Sequence, residues 1–498
     1  MAPTPMDTLK TKMAEVLDVR AAINLLQWDL EVMMPPKGAE ARGMQLATLS
    51  ALAHRLFVTQ EMEDCIKAAE DAARTPDEKT LAALTRYDYT RATCLPEAFV
   101  QKFAGEQSKA YQVWVKAREE SDFRLFQPHL QTLLGLLREK AEYHGYAESP
   151  YDALIEDYEP GMTSRQLDAI FGDLAPRQTA LLQRIMASPH QPDLAWLDQQ
   201  WDADAQWTIS EEVLRDLGFD FQAGRQDKSV HPFSTNFDID DARITTRLNP
   251  NELFSALTGS THECGHAFYE MGFLKSDRRT LLAQAISLGI HESQSRLWEN
   301  AIGRSLPFWE HYTPLLKKHF GAQLQGVDAH AIHRAVNHVA PTFIRVEADE
   351  CTYNLHVVLR YEIERALVEG SLDAAGVPTA WNEKMKQYLG LEVPDDAQGC
   401  LQDIHWSHGS MGYFPTYALG NLYAVQMLEV IERDIPQLWE DVGRANFHPL
   451  LNWLRTHVHR VGRRMKAQEL IESISGKAAS AEPYMTYLER KYAPLYHC

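Results

Sequence analysis

Within this 498-residue chain, His262-Glu263-Cys264-Gly265-His266 sets two imidazoles four residues apart, with a carboxylate beside the first. On a helix, positions i and i+4 share a face, so both rings reach one cation and Glu263 can point at a water held there. The chemistry implied is metal-assisted hydrolysis of an amide. Zinc lowers the pKa of its water toward ~7 and polarises a carbonyl oxygen. Glu263 takes the proton as general base and returns it to the leaving amine. With 20 histidines in the chain, the short pattern alone is weak and its setting decides. That setting reads as helical: Asn249 suits an N-cap, Pro250 the first helical position, and Glu252 completes a capping box. Ser255, Thr258 and Gly259, earlier on the same face, suit a cleft wall better than a core. Cys264 reads as a small apolar filler rather than a nucleophile.

A catalytic zinc needs a third protein ligand and an open position. Glu270 is nearby, but it lies eight residues from His262, ~12 Å along a helix axis, and one straight helix cannot bring all three groups to one ion. Glu292, in IHESQSRLWENAIG, is therefore the expected third ligand, reached if two antiparallel helices are joined around residues 275–279. Glu299, one heptad later, is the alternative and reads better as structural. A tetrahedral oxyanion needs a further donor, and the stretch QDIHWSHGSMGYFPTYALGN offers His405, His408, Tyr413 and Tyr417.

These groups must be positioned by helices. Residues 6–33 carry apolar side chains at three- and four-residue spacing and stop at Pro35-Pro36. A second helix follows from about Ala39, and others are readable at 77–92, 96–119, 122–145 and 163–186. The last opens on a Thr163/Gln166 capping box. His231 to Arg247 (HPFSTNFDIDDARITTR) alternates between turn formers and reads as one or two short strands, placed to pair with a peptide backbone. Residues 187–207 are the most linker-like, yet three Trp argue that they pack. The expected fold is mostly α, a large helical body with a small β-sheet near the middle, and one catalytic domain over 1–498.

Composition narrows the partners. Asp and Glu total 69 against 49 Lys and Arg, a net charge of −20 that repels nucleic acid and anionic membranes. No apolar run is long enough to span a bilayer. The N-terminus interleaves charges where a signal peptide needs an apolar stretch, and six scattered cysteines form no CxxC pair. A cytoplasmic location with reduced thiols is the expectation.

The motifs together resemble the HExxH zinc carboxypeptidases of the carboxypeptidase Taq family. The likeness runs over essentially the whole chain: His231-Pro232-Phe233, Asp241-Ala242-Arg243-Ile244-Thr245, the HECGH stretch, His291-Glu292-Ser293-Gln294, Ile344-Arg345 with Ala348-Asp349, and Gly399 with Gln402-Asp403 and His405-Trp406. The N-terminal LLQWDLEVMMPPKGAEAR resembles it too. The resemblance implies a two-lobed helical fold with a deep groove, distantly like angiotensin-converting enzyme and neurolysin. It further implies a homodimer, zinc with cobalt able to substitute, and release of single C-terminal residues with broad specificity, terminal Pro excepted. It assigns His262, His266 and Glu292 as ligands and Glu263 as base. Arg345 is the family-like receptor for the substrate carboxylate, with Arg243, Arg247 and Arg296 as alternatives. Tyr413 and His408 are expected transition-state donors, by likeness to neurolysin-type enzymes, and His231, His405 and Tyr417 substrate contacts. An endopeptidase or dipeptidase with the same core, or a metal-bearing scaffold without activity, are the competing readings.

Overall fold

The apolar periodicities resolve into helices close to where they are read. In the computed structural model, which describes residues 3–498, the first helix spans Pro5–Val32 and the second Ala39–Phe57. The four later stretches become Pro76–Thr93, Glu97–Glu120, Phe123–His144 and Ser164–Ala187. The capping box at Thr163 forms, its amide donating to Gln166 Oε1 at 2.9 Å while the Gln166 amide donates to Thr163 Oγ1 at 3.3 Å. Twenty α-helices and one three-stranded sheet make up the described residues, a mostly α fold.

The sheet is β1 (Gly224–Lys228), β2 (Ser234–Asp238) and β3 (Asp241–Thr246), in the order β1-β3-β2. β1 runs parallel to β3, and β2 antiparallel with an irregularity between Asn236 and Asp238. Two strands lie within the predicted segment. The third, β1, is GRQDK and has no β-branched or aromatic residue to announce it. It is held through its buried polar groups: Gln226 Nε2 donates to Ser210 Oγ at 3.0 Å. β2 is an edge strand, so one side of its backbone is unpaired within the sheet. Within the linker-like stretch Trp201 is buried edge-on to Phe320, as the tryptophan content suggests.

One boundary differs from expectation. The helix carrying the HExxH residues spans Ser255–Met271 and has no side-chain cap, so Asn249 does not start it. Asn249 instead accepts from the Asn251 amide at 3.0 Å in a turn. The carbonyls that would open a helix there are taken by the preceding segment: Gln206 Nε2 donates to Asn249 O at 3.0 Å and the Trp201 amide to Pro250 O at 2.7 Å.

The main apolar core runs from Ala110 to Tyr496, while the N-terminal helices bury a smaller cluster built on Leu9, Met13, Val16, Ile66 and Leu81. Leu281 and Leu282 complete that smaller cluster from the segment after the HExxH helix. Three helices frame the site: the HExxH helix, the helix Leu288–Arg296, which passes directly into a π-helical turn Leu297–Ile302, and the long buried helix Pro415–Asp434. No described helix is long and apolar enough to cross a membrane, and all six cysteines are free thiols.

Candidate metal centre

The helix Leu288–Arg296 starts where its free amides find acceptors. Ser287 caps it by accepting from the Ile290 amide at 3.0 Å, and the Leu288 amide donates to Tyr158 O at 3.0 Å. The Gly289 amide donates to Glu159, a fully buried carboxyl that also accepts from Tyr423 OH and that burial pushes up to about 7. So anchored, the helix lies against the HExxH helix and turns Glu292 towards its histidines.

Donor atoms of His262, His266 and Glu292 all fall within 4.8 Å of one another. Glu292 Oε2 stands 3.4 Å from His266 Nε2 and 3.8 Å from His262 Nε2. Ligand atoms around a tetrahedral ion with bonds near ~2.05 Å sit ~3.3 Å apart, close to the Glu292–His266 separation and shorter than the Glu292–His262 one. The outer nitrogens are already engaged. His262 Nδ1 bonds Glu299 Oε2 at 2.8 Å, and His266 Nδ1 donates to the His291 carbonyl at 3.0 Å. Both rings therefore carry their proton on Nδ1 and aim an Nε2 lone pair at the common point. Arg296 Nε bonds Glu292 Oε1 at 2.7 Å, leaving Oε2 as the facing oxygen. The residues fit a divalent ion with borderline nitrogen and oxygen preference, such as zinc.

Electrostatics agree with that donor set. Burial alone would raise Glu292, but Arg296 and His262 outweigh it and hold the carboxyl well below its usual range. Burial pushes Glu263 up to about 7, partly offset by His262. Glu263 is 6% exposed and has no hydrogen-bond partner among the described residues. It lines a cavity of about 290 Å³ with the three candidate ligand residues, His291, Arg296, Phe233, Ser234, Leu288, Tyr413, Thr416 and Tyr417. A second cavity of about 400 Å³ lies between Asn236–Ile239, at the end of β2, and the first helix.

Of the sequence-derived candidates, Tyr413 and Tyr417 reach the metal cavity, their rings 5.2 Å apart, and so does Arg296. The others stand off its wall. His405 packs behind the tyrosines, 3.5 Å from Tyr417 OH, where burial drives its pKa down to about 4. His408 is exposed and lies against Tyr111. Arg243 is sandwiched between Trp28 and Phe237 and bonded to Asp241. His231 and Arg247 are exposed. Arg345 is 5% exposed and committed to Asp403 and Tyr353, with Nη2 2.8 Å from Asp403 Oδ1 and Nη1 2.8 Å from Tyr353 OH.

Glu299 was expected to be structural; the contacts that give it that role, and the stacking of His291, were not read from the sequence. Glu299 sits on the π-helical turn and, besides His262, accepts from Arg296 and Arg304, so it orients the His262 ring and lies outside the candidate ligand cluster. His291 stacks on His266 with ring centroids 4.4 Å apart. Its Nε2 bonds Glu270 Oε1 at 2.9 Å, and Glu270 accepts from Asn236 Nδ2 on β2 at 2.8 Å. The adjacency of His291 to Glu292 was the one available signal, and it does not reveal the stacking.

The family model for carboxypeptidase Taq (M32) metallopeptidases matches residues 8–492. Thermostable carboxypeptidase 1 of Thermus thermophilus is 40% identical over 486 residues, 95% of each chain. The crystal structure of the M32 carboxypeptidase from Deinococcus radiodurans superposes with a TM-score of 0.97 at 37% identity, covering 99% of this chain and 100% of that one. Trypanosoma cruzi metallocarboxypeptidase 1 gives 0.94 at 34% identity, over 98% and 99%.

Proposed function

This chain belongs to the carboxypeptidase Taq (M32) metallopeptidase family, and from that premise we propose that it is a zinc carboxypeptidase with Glu263 as general base, releasing single C-terminal residues with broad specificity. The observation that supports the reading is the convergence of two Nε2 atoms and one carboxylate oxygen beside an unpartnered Glu263. A divalent ion held by His262, His266 and Glu292 would polarise the scissile carbonyl and acidify a water. Glu263 then accepts a proton from the attacking water and hands it to the departing amine. Tyr413 and Tyr417 donate to the oxygen that becomes negative. Cobalt, with similar ligand preferences, would substitute for zinc.

Only one residue lies beyond the bond a carboxypeptidase cuts, so the cavity along β2 would take the chain upstream of it. For the terminal carboxylate this reading favours Arg296, whose Nη2 has no partner among the described residues, over Arg345. An Arg345→Lys enzyme that lost its preference for free acids would reverse that order. The catalytic unit is the whole chain, and its substrates are peptides with a free C-terminus. Free thiols at all six cysteines are compatible with a cytoplasmic setting, against which a disulfide in the native protein would count.

The deciding experiment compares a blocked peptide acid with its amidated twin, alongside metal analysis by mass spectrometry. The acid should be cut and the amide spared, with about one zinc per chain. Equal cleavage of both would indicate an endopeptidase with the same core, and metal without cleavage of either a scaffold.

A homodimer belongs to the same reading. Leu25 and Met44 on the first two helices, and Met33 just after the first, are exposed at 40%, 61% and 54%, apolar side chains that a second copy would cover. Leu25→Lys with Met44→Lys should then sediment as a monomer, whereas an unchanged dimer would place the interface elsewhere.

A further inference from the structure

Gly420 lies 128 positions from Glu292 in sequence and inside the buried helix Pro415–Asp434. Its φ is not positive, so backbone freedom does not explain a glycine here. A glycine in a helix interior costs roughly 0.5–1 kcal/mol relative to alanine. What the position requires is space. A Cβ on Gly420 would meet Glu292 Cγ at 2.5 Å and Glu292 Cβ at 2.6 Å. The opposite flank of the same ligand helix is equally tight. A Cβ on Gly265, within the HExxH stretch, would meet Gln294 O and Ser295 Cα at 2.6 Å. The ligand helix is thus pressed between two helices, through its backbone on one side and through the Glu292 side chain on the other.

We propose that Gly420 is a positioning residue that sets where the Glu292 carboxylate stands relative to the two imidazoles. This rests on the assignment of Glu292 as a ligand. Restoring ordinary carbon contact after adding a methyl at Gly420 requires a shift of ~1 Å at Glu292 Cγ, several times the ~0.2 Å tolerance of a metal–ligand distance. Gly265 blocks retreat towards the HExxH helix, because the atoms it would meet are backbone. The displacement therefore falls on the carboxylate. Gly420 is also one turn from Tyr417, so a single helix carries a tyrosine of the cavity wall and the seat of the ligand.

The test is cobalt binding by full-length Gly420→Ala, read by chelator competition and by the visible d–d spectrum, without reference to turnover. Affinity should fall at least about tenfold, with a changed cobalt band and an unchanged far-UV circular dichroism spectrum. The control, Gly135→Ala, adds its methyl in open space on another helix and should bind as wild type. Wild-type affinity and spectrum in Gly420→Ala would overturn the proposal. Failure of wild type to bind cobalt would instead sink the ligand assignment itself. Should Gly420→Ala not fold, the double variant Glu292→Gly with Gly420→Ala decides by stability. Recovery of the fold when the opposing side chain is removed supports the contact, and no recovery refutes it.

Discussion

Glu263→Gln is expected to keep its metal and lose its turnover. Glutamine has the same shape, Glu263 is outside the ligand cluster, and no hydrogen bond among the described residues depends on its charge. Packing and metal content should therefore stay as in wild type. The side chain loses the ability to accept a proton, and a positioned general base contributes about 10²–10⁴-fold. A fall of about 10³-fold in kcat/KM on a peptide acid, at unchanged metal stoichiometry, is the outcome to look for. Activity within about tenfold of wild type would move the base to another group, such as His291, which lines the same cavity. Loss of metal would mean that Glu263 contributes to the ion's coordination.

Asp403→Ala should give the largest loss of stability. The Asp403 carboxylate lies between two guanidinium groups, 2.8 Å from Arg345 Nη2 and 2.7 Å from Arg360 Nε, with Arg360 fully buried. Truncation leaves two buried cations without their anion, a change that costs about 3–5 kcal/mol where one partner of a buried pair is removed. The urea midpoint of unfolding should drop accordingly, and a wild-type midpoint would show that the ion pairs contribute no net stability. Activity should fall too, because Arg345 lies over the Tyr417 ring at 4.9 Å and Tyr417 lines the metal cavity. Burial alone would raise Asp403, but Arg360 and Arg345 outweigh it and hold the carboxyl far below its usual range. Its folded pKa is thus lower than its unfolded value of ~3.9. The contribution is complete above that value and is lost as pH falls through and below it. Wild type should therefore lose more stability on acidification than Asp403→Asn, which has no carboxylate to protonate.

What could be read in the chain was local. Leu9, Met13 and Val16 repeat within one helix, Thr163 and Gln166 are three apart, and His262 and His266 share a face by spacing alone. Glu292 was reachable because the second helix begins soon after the first ends. Glu299, by contrast, meets His262 only because a π-helical turn directs it there, and no residue in LWENAI announces that turn. Arg345 was expected to receive the substrate carboxylate, and in the fold it is the partner of Asp403 across 58 positions. The same limit applies to His408, a plausible donor by residue type that the chain carries to the surface against Tyr111. Asn249 failed for a related reason, since the carbonyls it would have organised were claimed by Gln206 and Trp201.

The ionised groups around the ligands have a thermodynamic consequence. Three carboxylates, Glu263, Glu292 and Glu299, stand with two guanidinium groups, Arg296 and Arg304, and two imidazoles whose Nε2 atoms are unprotonated when they face a cation. With Glu263 ionised and both imidazoles neutral, the formal charge is one negative without an ion and one positive with a divalent ion seated. A peptide with a free C-terminus brings the matching negative charge, and an amidated peptide does not. Binding free energies are linked reciprocally, so whatever the substrate gains from the ion, the ion gains from the substrate. Metal retention and selection of the chain end are then two readings of one coupling, and each occupied partner raises the equilibrium affinity for the other.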